Sequence, residues 1–299
     1  MRALITGAGG FVGPHLTQHL TEQGDEVIGL DMSNGPDLAD AAGWVDTLCR
    51  HRPEVVYHLA GWSDVSGSWR DPLKTFTVNA TGTMAVLEAA DAAGVRRVVS
   101  ISSADVYGIV AVDDQPITEA QPCCPRSPYG VSKQAAEAVC QQYVRGRGLD
   151  VVVVRPFNHL GPGQSPRFVA SAFASQIADA ELVGSGELRH GDLSARRDLT
   201  DVTDVVRAYR LLAERGRTGE VYNVCSGRAV TMQDLLDILV ERSKVPITTS
   251  IDPERLRPVE LPLLVGSHDK LTVDTGWEPT RSLADTLTAV LDDAREHRA

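Results

Sequence analysis

Short runs of β-branched and aliphatic residues alternate with longer amphipathic stretches through the first half of the chain. The runs at 3–5, 27–30, 55–59, 98–101 and 151–154 are almost continuously apolar, which predicts strands covered on both faces. Between them, helices are predicted at 11–23, 39–51, 74–93 and 128–145. In the stretch 74–93, Phe76, Met84, Leu87 and the run Ala90–Ala93 recur at roughly helical spacing, so one face should be buried. Strand and helix in alternation predict an α/β fold: a Rossmann-type, doubly wound parallel sheet.

After Asn158 the rhythm changes. Gly161-Pro162-Gly163 interrupts the chain, and glycine returns at Gly184, Gly186 and Gly191 among charged residues. A helix is predicted at 202–215, a strand at 221–224, a helix at 232–242 and a last amphipathic helix at 283–297. The segment 252–262 holds three prolines and should be extended. The expected organisation is a nucleotide-binding domain over 1–157, which also receives segments from about 195–227. A smaller C-terminal lobe takes most of 158–299.

Composition narrows the class. Of 299 residues, 42% are hydrophobic, ordinary for a folded domain, and the 26 glycines and 16 prolines form no repeat. A net charge of −11 argues against a nucleic-acid or anionic-membrane partner. No apolar run approaches the ~20 residues of a membrane span, and Met1-Arg2 leads directly into a strand pattern, so no leader is expected. Five cysteines, Cys49, Cys123, Cys124, Cys140 and Cys225, are irregularly spaced without a C-x-x-C. No metal site is expected, and the chain reads as a reduced, cytoplasmic enzyme.

A glycine loop follows the first strand, with Gly7, Gly10 and Gly13 spaced G-x-x-G-x-x-G around Phe11 and Val12. Such a loop lets backbone approach a pyrophosphate at a helix N-terminus. Asp31, 18 residues beyond Gly13 at the end of the second strand, can accept adenosine ribose hydroxyls. No arginine follows at Met32, Ser33 or Asn34, so NAD(H) is expected over NADP(H), with NADP(H) admitted. Leu59-Ala60-Gly61 closes the third strand with residues small enough for a dinucleotide to pass, while His58 reads as structural.

Tyr129-Gly130-Val131-Ser132-Lys133 opens a predicted helix, placing phenol and ammonium on one face. A free phenol titrates at about 10, and a nearby cation favours its ionised form, so the pair suits proton transfer to a carbonyl oxygen. Ser102-Ser103, after the fourth strand, offers the second hydroxyl.

Together with Asn79-Ala80-Thr81-Gly82-Thr83, these motifs resemble the extended short-chain dehydrogenase/reductases that act on nucleotide sugars. The resemblance covers essentially the whole chain. It implies that Ser103 and Tyr129 hold the sugar C4 oxygen and that Lys133 holds the nicotinamide ribose and lowers the tyrosine pKa. It further implies that Asp37 and Leu38 border adenine, that Pro156 lies against the cofactor, and that the protein is a homodimer paired through the helices at 74–93 and 128–145. The run from Arg155 to Gln164, Arg197-Asp198-Leu199-Thr200-Asp201-Val202, the stretch from Gly219 to Gly227 and the segment 252–258 are similar to one subgroup, the GDP-4-keto-6-deoxy-D-mannose reductases, which form GDP-D-rhamnose. On that likeness Asp105, Asn158, Leu193, Arg197 and Arg257 contact the nucleotide sugar.

Three departures stand out: Asp192 in place of a common amide, Leu199 in place of an aromatic, and a segment from Trp62 to Ser66 unlike any subgroup. Three functions share this pattern. A reductase releases its spent cofactor, whereas a 4-epimerase or 4,6-dehydratase retains NAD. A non-catalytic cofactor-binding protein would show a broken Tyr/Lys pair, and Tyr129 and Lys133 are intact. Ser103 is followed by Ala104 and Asp105, not by the Asp-Glu of the dehydratases, which favours the reductase.

Overall fold

The protein is described from a computed structural model covering residues 1–256 and 261–298. Its strands are β1 (Arg2–Thr6), β2 (Glu26–Leu30), β3 (Val55–His58), β4 (Arg97–Ile101), β5 (Val151–Pro156), β6 (Asn158–Leu160), β7 (Gly186–His190), β8 (Arg196–Asp201), β9 (Val221–Val224), β10 (Ala229–Thr231), β11 (Ile247–Ile251) and β12 (Leu263–Leu264). The helices are α1 (Val12–Glu22), α2 (Ala41–His51), α3 (Val65–Ser68), α4 (Pro72–Phe76), α5 (Gly82–Ala92), α6 (Pro128–Arg147), α7 (Val169–Val183), α8 (Val202–Arg215), α9 (Met232–Glu241), α10 (Asp269–Thr275) and α11 (Leu283–Glu296).

Six parallel strands form the main sheet in the order β2-β1-β3-β4-β5-β9. One face is covered by α1 and α8, where Leu16, Leu20, Val205, Tyr209 and Leu212 pack on Ile5, Tyr57 and Val152. The other lies under α2, α5 and α6, with Trp44, Leu48, Val86, Leu87 and Cys140 against Leu4, Val56 and Val98. Burial on both faces explains why these strands are uniformly apolar. Chain order reverses between β1 and β3, and the crevice beyond their carboxyl ends is where such sheets bind ligands. The last strand, β9, returns to the main sheet after the chain has built β6, β7 and β8 elsewhere.

In the smaller C-terminal part, β8 pairs with β6, β10 and β12, and β7 pairs with β11. Helices α7, α9 and α11 enclose a separate core of Phe173, Ile177, Leu235, Leu239, Leu287 and Leu291.

Three expectations change. The single helix at 74–93 is broken: a π-helical turn over Thr77–Thr81 separates α4 from α5. Helix α7 and strands β6, β7, β8, β10, β11 and β12 were not anticipated. The extended stretch at 252–262 contains a 3₁₀ turn at Pro253–Arg255, and residues 257–260 lie outside the described residues.

Candidate active site

The glycine loop passes directly over the end of β3. Gly7 adopts φ +75°, and a Cβ there would stand 2.8 Å from Ala60 Cα and 3.2 Å from the Leu59 carbonyl carbon. Gly10 donates its N–H to the Gly7 carbonyl at 3.1 Å, and a side chain at Gly13 would overlap the Ala8 backbone. Helix α1 then begins without a side-chain cap and without an acid in its first turn, whereas α2, α4, α6 and α9 are capped by Asp40, Asp71, Ser127 and Thr231. Its amide N–H groups are left for an anion, so the loop fits a dinucleotide pyrophosphate.

Phe11 stacks on His159 with ring centroids 5.9 Å apart, and Val12 opens α1 against the sheet core. Asp31 sits against the loop: a Cβ on Gly9 would overlap its carboxylate. Ser33 donates to Asp31 Oδ1 from its N–H at 2.7 Å and its hydroxyl at 2.6 Å, holding the carboxyl below its ordinary range. Asp37 is exposed and accepts from the Ala39 N–H, while Leu38 packs against Gly82 at the start of α5. Pro156 is buried at the end of β5, paired with Val224.

His58 is fully structural in its contacts. Its Nδ1 accepts from Thr6 Oγ1 at 2.8 Å, its Nε2 donates to Thr83 Oγ1 at 3.1 Å, and Thr83 passes the chain on to the Asn79 carbonyl. Burial, with Lys133 nearby, pushes its pKa down to about 3, so the ring is neutral.

Helix α6 carries Tyr129 and Lys133. Ser127 caps it, Pro128 occupies the first turn, and Gly148 at φ +73° ends it. Tyr129, Lys133 and Glu137 follow at i, i+4 and i+8 and are all buried. The Tyr129 N–H donates to Ser68 Oγ at 3.2 Å, which ties α6 to α3. Lys133 Nζ donates to the Ile101 carbonyl at the tip of β4 at 2.8 Å. Burial pulls Lys133 down to about 8. For Tyr129 the structure reverses one expectation: burial and the Asp105 carboxylate raise its pKa, with Ser103 pulling partly back, and Lys133 makes no resolved contribution. Both groups are therefore desolvated where a bound substrate would meet them.

Ser103 donates to Asp105 Oδ2 at 3.0 Å. The Asp105 carboxyl is raised by burial and pulled back by Ser103 and the Arg197 charge. Ser103, Asp105, Tyr129 and Arg197 thus converge at one place. Arg197, in β8, also donates to the Leu261 carbonyl at 2.8 Å. Asn158 is exposed in β6, paired in register with Leu199, and Leu193 packs at the margin of the C-terminal core. Arg257 falls outside the described residues.

Sequence reading assigned no role to Asn79. The π turn buries it, and its side chain accepts from the Trp62 N–H at 2.7 Å and donates to the Trp62 carbonyl at 3.1 Å and to Ser132 Oγ at 2.8 Å. It locks the segment after β3 to the helix of Tyr129 and Lys133. Gly61 completes the junction, with Asn79 Oδ1 and Lys133 Nζ 2.8 and 3.3 Å from where a Cβ would stand. Single π-helical turns inside α-helices are frequent at functional sites. The available signal is the run Asn79–Thr83, which lies inside a stretch whose spacing predicts uninterrupted helix.

Among the described residues no group of three or more His, Cys, Asp or Glu is arranged to hold a metal, and no helix is long and apolar enough to cross a membrane.

Comparison with known proteins agrees with this geometry. Residues 3–225 match the NAD dependent epimerase/dehydratase family. The chain is 40% identical to a GDP-6-deoxy-D-mannose reductase of Pseudomonas aeruginosa over 98% of its own length and 96% of the relative's. It is 32% identical to a UDP-glucose 4-epimerase of Mycolicibacterium smegmatis, covering 98% of each. The structure of RMD from Pseudomonas aeruginosa complexed with NADPH superposes with a TM-score of 0.92 at 37% identity, covering 99% of this chain and 100% of that one. The chain is an enzyme of the NAD dependent epimerase/dehydratase family, the extended short-chain dehydrogenase/reductases, and a homologue of GDP-6-deoxy-D-mannose reductase.

Proposed function

We propose that the protein reduces the 4-keto group of a nucleotide-linked 4-keto-6-deoxy sugar, GDP-4-keto-6-deoxy-mannose, to give GDP-rhamnose. The observation that carries this reading is the full-length likeness to the Pseudomonas reductase together with an intact Ser103, Tyr129 and Lys133 cluster. The nicotinamide cofactor supplies the hydride when bound. Ser103 and Tyr129 hold the keto oxygen, and Tyr129 donates its proton to that oxygen as negative charge develops there. A phenol kept protonated by burial is suited to that donor role. Lys133 holds the nicotinamide ribose. Arg197, Asn158 and Arg257 bind the nucleotide diphosphate, with Asp105 and Leu193 lining the sugar and base.

For the cofactor, the Pseudomonas neighbour was solved with NADPH, so this fold admits a 2′-phosphate. In this chain Asp31 is held charged against the glycine loop by Ser33, and that supports NADH as the better donor. We also infer a homodimer. Leu73 and Phe76 on α4, Met84 on α5 and Val131 on α6 are exposed, and apolar side chains gathered on neighbouring helices are suited to a partner.

Steady-state kinetics on GDP-4-keto-6-deoxy-mannose with NADH and NADPH, with the product's C4 configuration read by NMR, tests the reading. The likeness to the 4-epimerase favours a second reading, in which NAD is retained. NAD⁺ released from purified protein on denaturation, without net turnover of external NAD(P)H, would establish that alternative.

A further inference from the structure

Glu137 takes no part in the chemistry above, yet its carboxylate is buried one helical turn beyond Lys133. Arg155 at the end of β5 grips it with two hydrogen bonds, Nε to Oε1 at 2.9 Å and Nη2 to Oε2 at 2.6 Å. The same Oε1 accepts the hydroxyl of Ser102, the residue before Ser103. Arg155 is itself fixed, its guanidinium 4.8 Å from the Tyr107 ring centroid and its Nη2 3.1 Å from Cys123 Sγ. The tip of β4 is therefore pinned to α6 at successive residues: Ile101 by Lys133 and Ser102 by Glu137. Ser103, bonded to Asp105, comes next along the chain and stands beside Tyr129.

We propose that Glu137 is a positioning residue for the reductase site, holding Ser103 in register with Tyr129 through Ser102 and placing a carboxylate one helical turn from Lys133.

A buried ion pair with a bidentate arginine is a costly way to add stability, since apolar residues of similar volume often do as well. It does confer fixed geometry and a local field. The field has the right sign. Burial lowers the pKa of Lys133; Cys140 and, after it, Glu137 raise it, and of the two Glu137 is the carboxylate. The other ionisable groups around the pair are Arg155 from β5, Tyr107 after β4, Cys123 ahead of α6 and Cys140 on α6 itself; His58, from β3, faces Lys133 and is neutral. Both thiols are raised by burial, so neither supplies a competing negative charge near neutral pH.

The proposal rests on the reductase reading for its kinetic half but not for its electrostatic half. The chain has four lysines, Lys74, Lys133, Lys244 and Lys270. Labelling them with ¹³C at Cε gives four assignable NMR signals, and Lys133 can be titrated without substrate. In Glu137→Gln the Lys133 midpoint should fall by about one pH unit, because removing the carboxylate leaves Arg155 uncompensated. An unchanged midpoint in folded Glu137→Gln overturns the charge role. Ser102→Ala, which removes only one hydroxyl, should lower kcat about tenfold with KM for sugar and cofactor within twofold, and Ser102→Thr should recover most of it. If Ser102→Ala instead keeps the wild-type kcat, the register role is wrong. Should Glu137→Gln not fold, Glu137→Asp in the same titration decides, since retreat of the carboxylate by one methylene must still lower the midpoint. Failure of wild-type enzyme to reduce the 4-keto sugar refutes the function, and the Ser102 comparison is then made on whichever reaction it catalyses.

Discussion

Gly7 and Ala60 meet backbone to backbone, so that a Cβ added to Gly7 would stand 2.8 Å from both the Ala60 Cα and the Ala60 nitrogen. Neither neighbour can yield, because Ala60 N–H donates to Thr6 Oγ1 at 3.2 Å and Leu59 N–H to the Thr6 carbonyl. Gly7→Ala is expected to destabilise the fold by at least about 1–2 kcal/mol from its left-handed backbone alone. It should also weaken dinucleotide binding more than tenfold. Thermal unfolding and calorimetric titration with NADH and NADPH measure the two effects.

Tyr129→Phe should lower kcat by roughly 10²–10⁴-fold, the usual contribution of a positioned proton donor. Cofactor affinity should stay within about twofold, since the ring still fills its place. More than a tenth of the wild-type rate in this variant would remove Tyr129 from the proton-transfer role. Lys133→Ala, by contrast, should lose both activity and cofactor binding.

Lys133 predicts a basic limb in the pH profile. Its ammonium titrates at about 8 in the folded protein because burial disfavours the charge. The charged form therefore prevails below that pH, and kcat/KM should fall as pH rises through it. Stability carries the opposite sign. The unfolded chain keeps this proton up to about 10.4, so between about 8 and 10 it binds more protons than the native state, and the Lys133 contribution to stability rises with pH. Lys133→Arg should move the basic limb of activity upward; a limb unmoved in that variant assigns it to another group.

Asp31 sets the expected cofactor preference. A carboxylate held beside the adenosine ribose would meet the 2′-phosphate of NADPH with like charge. NADH should exceed NADPH by tenfold or more in kcat/KM, and Asp31→Ala should narrow the gap chiefly by weakening NADH. Equal efficiency in the wild type overturns the Asp31 argument.

The exposed Leu73, Phe76, Met84 and Val131 predict a dimer. Multi-angle light scattering at micromolar concentration should give twice the 32.2 kDa chain mass, and Leu73→Asp with Phe76→Asp should give monomer. A wild-type monomer overturns the expectation.

Much was legible in the sequence because it is written locally. Strands buried on both faces must be apolar throughout, so β1, β3, β4 and β5 stand out without any knowledge of their partners. Gly7, Gly10 and Gly13 announce a turn that only glycine can make so tightly, and Tyr129 with Lys133 declares a shared helix face by spacing alone. The β6 to β8 segment was less legible: Arg196–Asp201 reads Arg-Arg-Asp-Leu-Thr-Asp, with a single apolar residue, and it becomes a strand only because β6, β10 and β12 satisfy its backbone.

By itself the sequence determined the α/β class, the glycine loop, Asp31 and the reactive pair, since each depends on residues close together along the chain. Tertiary structure alone decided the inward turn of Asn79, the bond between Ser102 and Glu137, the nearness of Asp105 to Arg197, and the upward rather than downward shift of Tyr129. Those features join residues 17 to 92 positions apart, and the shifts depend on how completely the neighbours exclude water. Spacing along a chain carries no record of that exclusion, because desolvation is a property of the packed volume around a group.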